Sequence, residues 1–222
     1  MKKLTCLISA LVLLAACTSQ SVNVGEYSGF LGNKYSQLKP ATSPTGAPVL
    51  RWISPKLNRS NYDNILVVTP VLYPASQGNK QVSNKTLHDI LSYMDNSIKS
   101  QVAPDLNIVP TAGPRTLKIR SAITGVKTAN EGFQPYEVIP VALVAAAVTS
   151  STGSRDQEVS LYVEFEITDS VSGEILALGV RKGFGSPLEN TSESVKLDNL
   201  KPVIDQWGKD AKLFFSRSYK EQ

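Results

Sequence analysis

The residues that could do chemistry in this 222-residue chain are few: two cysteines, Cys6 and Cys17, and one histidine, His88. An imidazole base would have to be His88. Its neighbour Asp89 would point about 100° away on a helix, so the two make no ready acid–base pair. No Gly-x-Ser-x-Gly elbow supplies a nucleophile. Zinc needs clustered cysteine and histidine, which this composition does not offer. Calcium needs several carboxylates around a loop glycine, and residues 169–174 bring only Asp169 and Glu174, in what reads as a hairpin turn. Gly183-Phe184-Gly185 beside Lys182 lacks the Gly-Lys-Ser/Thr ending of a phosphate loop. Glu131, Glu137, Glu164 and Glu166 could converge as the acids of a glycan hydrolase, but nothing in their spacing singles them out. Glu164 and Glu166 read more simply as a solvated strand face. The expectation is a domain without catalytic residues, cofactor or metal, and not an enzyme.

Cys17 is different, because its surroundings prescribe a reaction. Lys2 and Lys3 form a positive start, residues 4–14 are largely apolar, and the small Ala15 and Ala16 lead into Cys17. The apolar run is too short to cross a bilayer, which takes roughly 20 residues, and the layout is that of a secretory signal. Leu14-Ala15-Ala16-Cys17 resembles the lipobox of bacterial lipoproteins. That resemblance implies cleavage between Ala16 and Cys17, a diacylglyceryl thioether on the thiol, and acylation of the new amino group. Several acyl chains would anchor firmly where one is marginal. Thr18, in place of an Asp that would favour retention in the inner membrane, resembles a protein sorted to the periplasmic face of the outer membrane.

With Cys6 leaving in the signal and Cys17 lipidated, no disulfide can form, so the fold must rest on its core. The net charge of +4 falls to about +2 once Lys2 and Lys3 are removed, and no basic run occurs. That balance gives no reason to expect nucleic acid. The expected organisation is a signal over residues 1–16, a lipidated and flexible tether over 17–50, and one domain over 51–222. Residues 18–29, polar and small, would reach about 40 Å if extended.

Elements to carry the domain follow from periodicity. Residues 51–53 suit a short strand, and the apolar run 65–71 suits a buried central strand ended by Pro70. Ser83 is a candidate N-cap for a helix over 84–102, with Leu87, Ile90, Leu91, Met94 and Ile98 on one face and Pro104 beyond its end. Short strands are expected over 106–109 and 117–126. Residues 138–149, apolar and alanine-rich, suit a buried helix. Val159, Leu161, Val163, Phe165 and Ile167 alternate along a strand, Ser172-Gly173 turns the chain, and 175–180 returns. Leu200, Val203, Ile204, Trp207, Ala211, Phe214 and Phe215 mark a last helix, in which Pro202 fits only near the first turn. The order predicts a single-domain α/β (α+β) two-layer sandwich: a mostly antiparallel sheet with helices on one face, and one parallel pair made by the crossover through the 84–102 helix. It is similar to the small α/β domains of other envelope lipoproteins, a likeness of fold only.

Several stretches together resemble a family of uncharacterised Gram-negative outer-membrane lipoproteins, a domain of unknown function. They are Gly29-Phe30-Leu31 with Tyr35-Ser36 and Leu38; Tyr62 with Ile65-Leu66-Val67-Val68 and Pro70-Val71; Gly113-Pro114 with Leu117, Ile119 and Ala122-Ile123-Thr124; and Asp169 with Ser172-Gly173-Glu174-Ile175-Leu176-Ala177. Ser172 stands where Thr is more usual. The resemblance implies a membrane address and no activity. The function expected is therefore a lipid-anchored domain that binds or scaffolds an envelope protein, with a carrier or sensor of a small apolar ligand, such as a lipid, as the alternative and a cell-wall hydrolase third. Residues 138–148 could line a pocket for such a ligand. The aromatic set Phe30, Tyr35, Trp52, Tyr62 and Tyr73 is expected to wrap the domain, or else to form a peptide-binding rim. Oligomeric state is not legible.

Overall fold

The computed structural model describes residues 22–75, 77–130 and 157–216. Eight strands form one sheet: β1 (Lys39–Thr42), β2 (Pro48–Ile53), β3 (Asn64–Val67), β4 (Val71–Leu72), β5 (Asn107–Ile108), β6 (Thr116–Asn130), β7 (Gln157–Asp169) and β8 (Ile175–Phe184). The order is β1-β2-β8-β7-β6-β3-β5, with β4 also on β6. The pairs from β1 through to β6 are antiparallel; β3 with β5, β3 with β6 and β4 with β6 are parallel. Two long helices, α1 (Asn84–Val102) and α2 (Leu197–Phe215), complete the single α+β domain. The expected sandwich is present, with more parallel pairing than one crossover would give.

α1 starts where the Ser83 side chain accepts the Thr86 N–H, and buries Leu87, Ile90, Met94 and Val102. α2 buries Leu200, Val203, Ile204 and Phe215. With Ile123, Val126, Val159, Leu161 and Val163 of the sheet these side chains make one core, except Val102 and Phe215, which join Ile65, Leu117 and Leu176 in a second. Ile123 and Val126 are three residues apart, an odd step for one strand face. A bulge between Ile123 and Gly125 takes up the extra residue and returns Val126 to the helix side, opposite Leu161.

Four expectations need correction. Pro202 lies in the second turn of α2, not the first, and without an N–H it leaves the helix one bond short there. The apolar run at 65–71 is not one central strand. Pro70 splits it into β3 and β4, and β3 lies next to the edge. Residues 22–50 are not a free tether: β1 and β2 extend the sheet, and Val22 is already buried at 6% exposure. Glu164 and Glu166 are not solvated, at 0% and 7% exposure. The reason for the last two is the same. Residues 22–38 lie across the face of the sheet opposite the helices, where Val22, Leu31, Phe30, Tyr35 and Leu38 pack on Leu50, Trp52, Tyr162, Leu178 and Val180. Residues 1–21 and 131–156, including the expected 138–149 helix, lie outside the described residues. Among the described residues, no helix is long and apolar enough to cross a membrane.

Candidate functional site

His88 is exposed on α1, and Asp89 is engaged by Lys85 one turn away at 2.7 Å. The hairpin turn is built by Asp169, whose Oδ1 accepts the Ser172 and Val171 N–H groups and the Ser172 hydroxyl. Those bonds, the Ser172 N–H foremost, hold its carboxyl below the usual range. Gly183 and Gly185 serve packing rather than phosphate: a Cβ on Gly183 would lie 2.0 Å from Val203 Cγ2, and one on Gly185 2.3 Å from the Asn199 carbonyl oxygen. Among the described residues, no three His, Cys, Asp or Glu side chains group as metal ligands. Glu131, Glu137, Ala16 and Cys17 lie outside them.

The face opposite the helices carries a polar row on alternate residues of β7: Tyr162, Glu164 and Glu166. Each is met by the N-terminal strap. The Tyr162 hydroxyl donates to Glu26 at 2.8 Å. Glu164 accepts the Ser28 N–H at 2.9 Å and the Tyr35 hydroxyl at 2.5 Å. Glu166 accepts Arg120 Nε at 2.7 Å and also Lys34 Nζ. Burial pushes the Glu166 carboxyl up, but the bonds from Lys34 and Arg120 outweigh it and hold the group below its ordinary value. Burial, then the Glu164 bond, pushes the Tyr35 hydroxyl up to about 12. Lys127 stands 4.2 Å above the Tyr162 ring, and burial lowers its ammonium to about 8 against the pull of Glu26. Aromatic contacts reinforce the cover: Tyr27 stacks on Tyr35 at 4.3 Å, and Arg120 lies 4.3 Å over Phe30, which meets Tyr73 edge-on. Every carboxylate oxygen in this row is engaged by the chain's own donors, and the row clasps residues 22–38 onto the sheet. Of the expected aromatic set, Phe30, Tyr35 and Trp52 belong to this wrap, while Tyr62 packs on the other side with Ile65 and Phe215.

On the helix side the layers do not close completely. A cavity of about 110 Å³ lies between Met94 and Ile98 of α1, Ile204, Trp207 and Phe214 of α2, and Ile119, Val163, Phe165 and Ala177 of the sheet. Gly179 of β8 is overlain by the Phe165 ring, 2.2 Å from where its Cβ would be, and Gly208 of α2 faces Ser97 and Gln101 of α1. At one end stands a buried ion pair, Arg181 Nη2 to Asp210 Oδ2 at 2.6 Å. Asp210 Oδ1 accepts the Thr45 N–H at 2.7 Å, which ties the β1–β2 turn to α2. Arg181 Nη2 is taken up by this pair, while its Nε is buried without a hydrogen-bond partner. Burial lowers the Arg181 pKa, against the pull of Asp210. The sequence carried no sign of this cavity. Arg181 lies one residue beyond the expected return strand 175–180, and its register opposite Val163 puts it on the apolar side.

The family model described as a protein of unknown function, DUF3313, matches residues 26–211. The chain is 42% identical over 207 residues, 93% of each chain, to a protein named uncharacterized lipoprotein YdcL of Escherichia coli K12, and equally to its counterpart in strain O157:H7. Solved structures are more distant. A PelC dodecamer from Paraburkholderia phytofirmans is 18% identical at a TM-score of 0.37, over 73% of this chain and 96% of that one. A neuraminyllactose-binding hemagglutinin homologue from Helicobacter pylori is 10% identical at 0.32, over 72% of this chain and 85% of that one.

Proposed function

Starting from a chain that belongs to the DUF3313 family, we propose a lipid-anchored envelope lipoprotein whose domain, without enzymatic activity, binds a small apolar ligand between its helices and its sheet. The observation that carries the second half is the cavity of about 110 Å³ with its almost wholly apolar wall. Well-packed interiors leave few voids larger than a water molecule. An apolar void stays dry and takes up apolar guests, as an engineered cavity of roughly 150 Å³ takes benzene. The first half is supported by Cys17 behind Leu14-Ala15-Ala16 and by a relative named a lipoprotein over 93% of its length. Thr18 favours the periplasmic face of the outer membrane.

Ligand binding is preferred to the protein-scaffold reading because the large exposed apolar side chains do not gather on one element. Val24, Ile108, Val171 and Leu213 each sit on a different element or turn, and only Val71 and Tyr73 come as a pair; apolar residues scattered in this way are ordinary surface. The hydrolase reading loses Glu164 and Glu166, which are buried and held by donors.

Met94 gives a direct test. The chain has two methionines, and Met1 leaves with the proposed signal, so Met94 is the single methionine of the mature chain and lines the cavity. Its ¹³C-labelled methyl resonance should shift saturably on titration with benzene. A resonance unmoved up to the solubility of benzene would sink the proposal.

A further inference from the structure

We infer that the ligand of this cavity is a small neutral molecule with one oxygen, a ketone or an alcohol, whose hydrocarbon body lies among the apolar walls and whose oxygen pairs with the hydroxyl of Ser121. This deepens the ligand-binding reading and rests on it. The charged groups of the lining call for no ionic ligand: Arg181 is paired with Asp210 at 2.6 Å, and Arg51 has a partner of its own. The hydroxyls of the wall are those of Ser43, Ser97 and Ser121. Ser43 Oγ accepts the Ala47 N–H at 3.1 Å. Ser97 stands at the contact of α1 with α2, where a Cβ on Gly208 would lie 2.6 Å from its Oγ. Ser121 is left.

Ser121 interrupts an apolar row. It stands between Ile119 and Ile123 on the same side of β6, both of them core residues, and directly opposite Phe165 of β7. It is 4% exposed, and among the described residues its hydroxyl has no hydrogen-bond partner. Buried hydroxyls are ordinarily bonded, and one left alone in apolar surroundings carries a free-energy cost that a partner removes. Ser121 lines the cavity, so the oxygen of a guest can be that partner. A neutral oxygen suits the site better than a charged one, because an ion would enter an apolar space in which the chain's own charges are already matched. The size of the cavity limits the ligand body to about four or five carbons, since a void of roughly 150 Å³ holds one benzene.

The test compares cyclopentanone with methylenecyclopentane, in which a methylene replaces the carbonyl oxygen, on the mature lipoprotein in detergent, read by the Met94 methyl resonance. Each is titrated into the parent protein and into Ser121→Ala; partition into the micelles is common to both proteins and cancels. Ser121→Ala should bind cyclopentanone about fivefold more weakly, the ratio expected of one neutral hydrogen bond. It should bind the alkene as tightly as the parent does, or more tightly. Its melting temperature without ligand should match or exceed the parent's, since no bond within the fold is lost. A lower melting temperature, equal changes for ketone and alkene, or no binding of the ketone would overturn this inference while leaving an apolar-ligand site. Failure of the ketone, the alkene and benzene alike to move the resonance would overturn the ligand-binding reading itself.

Discussion

Tyr35→Phe isolates what the strap contributes. The substitution keeps the ring, and with it the stack on Tyr27 at 4.3 Å, and removes only the hydroxyl. That hydroxyl donates at 2.5 Å to Glu164, a carboxylate at 0% exposure. Glu164 would retain the Ser28 N–H on its other oxygen, so it would be half-satisfied in a place water does not reach. A hydrogen bond to a buried charged group is worth roughly 1.5–3 kcal/mol, and leaving the acceptor unsatisfied keeps the cost at the upper end. The hydroxyl also accepts the N–H of exposed Gly29 at 2.7 Å, which water can replace, and the N–H of buried Leu31 at 3.3 Å, which it replaces less readily. The expected loss is therefore about 2–3 kcal/mol. With a urea slope of roughly 2 kcal/mol/M, the unfolding midpoint should fall by about 1 M with the slope unchanged. Amide exchange should rise first over residues 22–38, and Glu164→Gln should couple to Tyr35→Phe in a double-mutant cycle by about 1 kcal/mol. A midpoint within experimental scatter of the parent, with strap exchange unchanged, would refute the claim that this clasp holds the second face.

Gly183→Ala puts a methyl 2.0 Å from Val203 and 2.9 Å from Trp207, so α2 must lift off β8; the expected destabilisation is about 1–3 kcal/mol by thermal or urea melting. Lys127 titrates near 8 when folded and near 10.5 when unfolded, so between those values the unfolded chain binds more protons and stability rises with pH. Lys127→Met should flatten that rise between about pH 8 and 9.5, below the tyrosine range, and an unchanged slope in urea melts across it would contradict the burial of this ammonium. Cys17→Ala should abolish labelling by a fatty-acid analogue and leave uncut precursor in cells; labelling that persists would remove the lipobox assignment.

What the sequence made legible was whatever obeys a local period. α1 could be read to the residue because Ser83 caps it and its apolar positions recur every three or four residues. β7 and β8 were visible in alternation and in the Ser172-Gly173 turn. The strap was not, because residues 22–38 form two short 3-10 turns with no repeat long enough to register, and their polar residues read as tether. A signal was present all the same. Tyr162 lies between Ser160 and Glu164 on the side of β7 taken for solvent, and Tyr27, Phe30, Leu31, Tyr35 and Leu38 are more aromatic and apolar than a tether needs. The cavity left no trace for a different reason. Sequence names the side chains that fill a core, whereas an unfilled volume depends on how closely Gly179 and Gly208 let the layers approach and where Phe165 then lies.

The strap also changes what the proposed anchor does. Five peptide links separate Cys17 from the buried Val22, and at no more than roughly 3.6 Å each they reach about 18 Å. With Cys17 lipidated as proposed, Val22 would therefore stay within about that distance of the lipid, short of the roughly 40 Å an unpacked tether would allow. The cavity lies on the other face, beneath α1 and α2. Any pull on the proposed anchor would reach the domain first through Val22 in its apolar seat, then through Glu26 on Tyr162 and Ser28 on Glu164. The residues that lead from the anchor are thus also the second cover of the core, and removing them would uncover Leu178 and Val180 and strip two buried carboxylates of donors. The proposed anchoring and the folding of this chain would thus draw on one stretch of sequence, since β1 and β2 carry the sheet across the expected boundary at residue 51.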